Sequence, residues 1–392
     1  MADADRLRVS YSGAEGTFGT HPGGTLKDVR LISESLIFES DFSPSQQLRD
    51  DRQVSDLIRL AARASGGINM EMSYGSHDDL IQYGMESAGW STPVTSGALT
   101  NISFTASDNS INRATGSFAT DGFVVNQWIR VSGAANAANN GYSKITSVAA
   151  LKLIVSGVIL IDESAGASVT VYMGAQVVNG VTPTSISIEK KYTDLANELE
   201  IFNGMLVSQM TQEFVAKQIM TAAFQFMGKV GDSATGTGGS GYTVVNSNSV
   251  MAAVTDILRV GLNQSPTATG TIPVISVNWT VNNNLRDRTN AGSLTPDSFG
   301  HGKGAYTGLV RQYYLTKTMW DLYRNNTPSA VAYVTLDAAN NAYVTDFPRV
   351  KFSAGRRVAG GENSDIVGEH PFTAFRHPTE GISARIARFP AV

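Results

Sequence analysis

The sequence predicts a mainly β protein, all-β or α+β. Three observations carry that prediction: the composition, an internal repeat and an inserted segment of different character. Charged residues make up 16% of the 392, where about 25% is usual. The apolar fraction is 42% and glycine numbers 38, so the missing charge has gone to Gly, Ser, Thr, Asn and Ala. Such a composition suits strands joined by tight turns. A surface with few charges also does little to keep neighbouring molecules apart, which points toward self-assembly.

The repeat orders the chain. Residues 33–53 and 271–289 each run from an apolar stretch through a polar turn region. Each ends in Leu-Arg-Asp, at Leu48-Arg49-Asp50 and Leu285-Arg286-Asp287, 237 positions apart. Asp79-Leu80 and Asp321-Leu322, 242 apart, open similar short amphipathic helices after strands at 67–74 and 308–315. The stretch 198–208 matches 342–353, aligning Phe202 with Phe347, only 145 apart. The first half therefore carries about 97 extra residues between Leu80 and Phe202. Each repeat reads strand, long loop, strand, short helix, hairpin (185–190 with 198–207; 330–336 with 342–352) and closing strand.

The extra residues are visible at 93–182, where only 8 of 90 are charged. Strands are expected at 102–106, 123–131, 142–148, 151–155 and 168–173. Asp121-Gly122 and Asn139-Asn140-Gly141 supply turns between them. The expected domains are 1–92 with 183–228, the all-β insert 93–182, a linker 229–270 with a short helix at 249–260, and 271–392. Thr92-Pro93 and Thr182-Pro183 mark the insert's junctions.

No stretch carries chemistry. Net charge is −4, with no basic run, which disfavours tight binding of nucleic-acid phosphates. The absence of cysteine excludes disulfide scaffolds, thiolate metal sites and cysteine nucleophiles. The charged start Met1-Ala-Asp-Ala-Asp-Arg6 has no apolar h-region, so no secretory signal is expected. The most apolar stretch, 149–161, is too short for a bilayer and contains Lys152, so no membrane partner is expected. Gly236, Gly238 and Gly241 match GxGxxG, but a strand-prone Tyr242-Thr243-Val244-Val245 follows. Pyrophosphate binding needs a helix there, so these glycines read as a flexible linker. His21, His77, His301, His370 and His377 lack ligand spacing. Asp50-Asp51, between Arg49 and Arg52, reads as loop ion pairs, and Asp78-Asp79 as a helix start favoured by the dipole. Arg311, Tyr313, Tyr314, Lys317, Trp320 and Tyr323 read as core and interface contacts, with base stacking as the alternative. No catalytic residue, metal ligand or cofactor is expected, so the chain reads as structural and not as an enzyme.

With those residues in view, the chain resembles the major tail tube proteins of long-tailed, non-contractile bacteriophages (the siphophage type). The likeness rests on SESLIFESDFSPSQQLRDDRQVSDL, GGINMEMSYGSHDDLIQYGME and FPRVKFSAGRRVAGGENSDIVGEHPFTAF. The stretch GSFATDGFVVNQWIRVSGAANAANNGYSKITSV is similar to decoration domains inserted in such proteins. The resemblance implies two tandem tube β-sandwiches, each with a flanking helix, plus the inserted small all-β domain. It implies rings whose inner sheets join into a barrel, stacked into the conduit for DNA ejection. Two tube domains per chain imply a trimer with pseudo-sixfold symmetry. The implied partners are further copies, the tape measure, terminator and tip proteins, and DNA that passes without specific binding. The implied place is the virion tail, assembled in the host cytoplasm. Another tail protein such as a terminator, or a carbohydrate-binding β protein, remains the alternative.

Edge strands are usually guarded by charge or proline. The segments bearing Leu36 and Phe38, and Ile275 and Val277, have neither at their centres, so they are expected to pair between subunits and close the barrel. The loops 43–60 and 287–303 are long for hairpins. Arg49, Asp50, Arg52, Arg286, Asp287 and Arg288, in or beside them, are expected to contact the next ring.

Overall fold

A computed structural model describes residues 3–196, 198–253, 257–262 and 273–391. The fold is mainly β, with three short α-helices among the described residues. Period-two alternation explains the strands. In Thr221–Gly228, Ala222, Phe224 and Phe226 are buried, while Thr221, Ala223, Gln225 and Met227 face the other way.

These alternating strands build one antiparallel sheet of eight. Its order is Ile37–Pro44, Leu57–Glu71, Thr221–Gly228, the end of Leu199–Val215, Val274–Asn282, Ala305–Tyr313, Ile366–Ala374 and Arg356–Ala359. A second layer covers its inner face. In the first half, Leu7–Ala14, Ile186–Tyr192, the start of Leu199–Val215 and Val230–Ala234 pair in that order. In the second, Ile257–Leu262, Ser329–Leu336, the start of Ala342–Phe352, Arg385–Phe389 and Ala175–Val178 do the same. The long strands Leu199–Val215 and Ala342–Phe352 run through both layers. A register shift between Val207 and Gln209 eases the first across.

One core fills the space between the layers. Met210, Phe214, Phe224, Trp279, Phe347 and Phe372 belong to a single buried cluster. Phe214 and Tyr333 meet edge-on at 5.3 Å, and the Trp279 Nε1–H donates to the Tyr333 hydroxyl at 2.7 Å. Burying each large side chain contributes about 1.5–3 kcal/mol.

The helices Asp78–Gly84 and Thr318–Arg324 occupy corresponding places, each after the second strand that its half gives to the eight-stranded sheet. The first buries Leu80 and Ile81. Asp78, in its first turn, does more than complement the dipole: its carboxylate accepts from the Tyr343 hydroxyl and from Arg388. Burial raises the Asp78 pKa, and these two donors oppose that.

Residues 94–173 form a separate seven-stranded antiparallel sheet. Its order is Val94–Leu99, Val169–Met173, Trp128–Ser132, Gly141–Val148, Lys152–Ser156, Ser110–Arg113, Ile102–Thr105. It has its own core around Phe104, Phe118, Ile129 and Val171. Residues 123–127, expected as strand, instead follow a short helix, Phe118–Asp121, capped by Ser117. This sheet docks on the second layer through Trp128 and Tyr142, which pack on Val334, Val344 and Phe389. Beneath lies a buried charge cluster. Asp346 accepts from Trp128 Nε1 at 3.0 Å, Lys144 Nζ at 3.1 Å and Arg385 Nη1 at 3.3 Å. Glu380 accepts from the same two cations at 2.7 and 2.8 Å. Burial would raise the Asp346 pKa, but Lys144 and Arg385 more than offset it and hold it below the ordinary carboxylate value.

Two expectations for 229–270 need correction. The helix at 249–260 is not found among the described residues. Val250 and Ala252 make isolated bridges, and Ile257–Leu262 is a strand on Ser329–Leu336; 254–256 lie outside the described residues. The β-branched and apolar residues there satisfy a sheet as well as a helix, and tertiary pairing decides. The glycine run is no loose tether either. Thr237 Oγ1, the Gly238 N–H and the Tyr242 hydroxyl all donate to the buried Glu189 carboxylate, at 2.7–3.0 Å. Gly241–Thr243 then pairs in parallel with Thr25–Asp28, the strand that excludes a nucleotide-binding helix.

Candidate assembly surfaces

The outer face of the eight-stranded sheet is polar and carries charges of both signs, Glu71, Glu213 and Glu369 with Arg63, Arg311 and Arg356. Its central strands present Gln225, Gln209, Thr211, Asn278, Thr280 and Thr307, and the Thr211 and Thr280 hydroxyls bond at 2.9 Å. Two arginines on this face are held by carboxylates: Arg63 by Asp287 at 3.0 Å and Arg311 by Glu369 at 3.3 Å. Such a wall offers phosphates little purchase.

The sheet has two ends. Among the described residues Ile37–Pro44 pairs on one side only, with Leu57–Glu71. Arg356–Ala359 likewise pairs on one side only among the described residues, with Ile366–Ala374. Apolar side chains lie open at both. Phe42, Leu57, Ile58 and Leu60 are 49–61% exposed on the first hairpin. Tyr313, Leu315, Val358 and Ile366 are 39–65% exposed at the far end. Exposed apolar surface of this kind marks interaction sites.

The expected residues fall in several places. Leu36 is buried, and Phe38 is half-buried beneath the Arg59 guanidinium. Both adjoin the open edge. Their side chains belong to this chain's own packing, so the backbone of Ile37–Pro44 is what remains available. Gly66 makes the crossing beside Leu36 possible: its φ is +131°, and a Cβ there would lie 2.3 Å from the Ser35 carbonyl. Ile275 is half-buried and Val277 buried. Their strand, Val274–Asn282, is paired on both sides within the chain. The expected pairing of Ile275 and Val277 with another subunit is thereby corrected, because that edge is already closed.

Arg49 bonds Asp51 at 2.6 Å, as the expected loop ion pair, while Asp50 and Arg52 are exposed on the loop 45–56. Arg286, Asp287 and Arg288 form a short exposed strand against Ser298–Gly300. Asp287 reaches Arg63 of the first half rather than either arginine of the other loop. The Ala62 N–H also donates to the Leu294 carbonyl at 2.8 Å. The second long loop thus folds across the first hairpin. Sequence reasoning missed the exposed run Leu57-Ile58-Arg59-Leu60; its signal was apolar residues that fit neither period two nor period 3.6.

The five histidines are scattered, and no group of three or more His, Asp or Glu is placed to hold a metal among the described residues. Burial depresses the His77 pKa to about 4 and keeps the ring neutral, against the opposing effect of its bond to the Glu71 carbonyl.

Comparison with curated proteins finds no match. A family model described as phage tail tube protein matches residues 6–374, nearly the whole chain. A β-rich chain whose sheet ends in two open, apolar edges, and whose sequence matches that model throughout, belongs to the phage tail tube protein family.

Proposed function

We propose that this chain is the ring-forming subunit of a siphophage-type tail tube, the conduit through which DNA is ejected. Membership of the family makes it a structural component of the virion tail that assembles with itself and other tail proteins. One observation supports the finer reading: the eight-stranded sheet consists of two sets of four strands that follow the same order of elements. In this reading each set, with its helix and outer layer, is one tube domain, built on 1–92 with 183–228 and on 271–392 and completed by the layer strands Val230–Ala234, Ile257–Leu262 and Ala175–Val178. Within 93–182, the sheet of residues 94–173 is a decoration domain.

Three copies joined edge to edge would close three times eight strands into a barrel with pseudo-sixfold symmetry. Twenty-four strands spaced about 4.8 Å apart and tilted about 35–45° give a barrel about 45–52 Å across its backbone. The Thr, Gln and Asn face would line the channel and let DNA pass without binding it. Loops 45–56 and 286–300, with Arg49, Asp50, Arg52, Arg286 and Arg288, would meet the next ring, and the tube's ends would meet the tape measure, terminator and tip proteins. Assembly in the host cytoplasm follows from this role.

Electron microscopy of the purified chain tests the reading. Stacked rings with a hollow axis are expected. Compact monomers at every concentration and salt would overturn it, and rings that never stack would favour a terminator.

A further inference from the structure

The two sets of strands correspond residue by residue, and that correspondence carries a register. Glu71 and Tyr313 are the last residues of their strands, each followed within a few residues by its helix. Glu71 faces Thr221, and Tyr313 faces Val367. One strand further, Thr211 faces Ala223 and Arg356 faces Glu369, so Thr211 and Arg356 hold equivalent positions. On the other side, Leu31 faces Met70 and Val274 faces Gln312. Both ladders then shift at the same place, between Leu31 and Ser33 and between Val274 and Ser276. Beyond the shift, Ile37 faces Ser65 as Thr280 faces Thr307, so Ile37 and Thr280 are equivalent. These strands align six positions away from the Leu-Arg-Asp match, which lies in loops of unequal length.

Inside the chain, the two sets are joined by Leu199–Val215 and Val274–Asn282, antiparallel, with Thr211 opposite Thr280. We infer that this junction is the template for the junction between copies. Arg356–Ala359 of one copy pairs antiparallel with the open edge of the next, with Arg356 opposite Ile37 and Val358 opposite Ser35. The inference rests on the ring reading above and adds the partner strand and its register.

The side chains fit. In this register Glu39 lies diagonal to Arg356, within reach of a long side chain. The exposed Val358 lies diagonal to the exposed Ile37, so two apolar residues are covered together. The contact is head-to-tail, the kind that closes into a ring.

The absence of cysteine makes the test clean. Directly opposed antiparallel residues have Cα atoms about 4.5–5.5 Å apart, within disulfide range. Assembled Arg356→Cys/Ile37→Cys protein, mildly oxidised, is expected to give covalent species ending at three chains on a non-reducing gel. Val358→Cys/Ser35→Cys should do the same while keeping Arg356 and Glu39. Thr211→Cys/Thr280→Cys should link within one chain only. Arg356→Cys/Asp41→Cys, out of register, should stay unlinked. Rings by microscopy with no link in either predicted pair, or with a link only in the out-of-register pair, overturn the register and leave the ring reading standing. Absence of rings in the unmodified protein overturns both.

Discussion

Asp346→Ala is expected to lower stability by about 3 kcal/mol, because Lys144 and Arg385 are then left to share Glu380 alone in a buried site. Trp128 Nε1 also loses its acceptor. Lys144 and Trp128 belong to the inserted sheet, and Asp346, Glu380 and Arg385 to the second half, so the loss falls on the docking of one upon the other. Denaturant unfolding of the purified chain measures it, and faster proteolytic cutting near 92–93 and 174–183 should accompany it. Asp108→Ala removes an exposed pair with Lys152 and should leave the unfolding midpoint unmoved. An Asp346→Ala midpoint equal to that of the unaltered chain would show that the insert is held by its apolar contacts alone.

Phe42→Asp combined with Ile58→Asp should abolish assembly and leave the monomer folded. Both side chains are about half exposed on a hairpin that projects from the core, so the monomer loses little burial. An interface covering them would have to bury two unpaired carboxylates, which costs several kcal/mol each. With three such contacts per ring, the penalty applies at every joint. The expected result is a monomeric peak in size-exclusion chromatography with an unaltered thermal midpoint. Tubes of ordinary length from this variant would mean that the hairpin faces solvent in the assembled state.

Much of the fold was legible because burial follows period two so closely, as in Ala222, Phe224 and Phe226. The 242-residue spacing of Asp79-Leu80 and Asp321-Leu322 agrees with the strand register of the two sets, while the Leu-Arg-Asp match is six positions out because it lies in loops of unequal length. The segment 249–260 was not legible: Val250, Val254, Ile257 and Leu258 satisfy helical spacing, and only pairing with Ser329–Leu336 makes its end a strand. Nor could the sequence tell an open edge from a closed one. Val274–Asn282 lacks guarding charges because it lies between two strands, and an edge awaiting a partner reads the same way. Asp287 read as a contact to the next ring, since its partner Arg63 is 224 residues distant. The cluster of Lys144, Asp346, Glu380 and Arg385 left no motif, because three separate parts of the chain supply it.

Native mass spectrometry of single rings, released from tubes or trapped before stacking, counts the chains and so decides whether each supplies two of six tube domains. Three chains are expected, three times 41.7 kDa and close to 125 kDa. A ring of six chains would contradict the assignment of two tube domains to each chain.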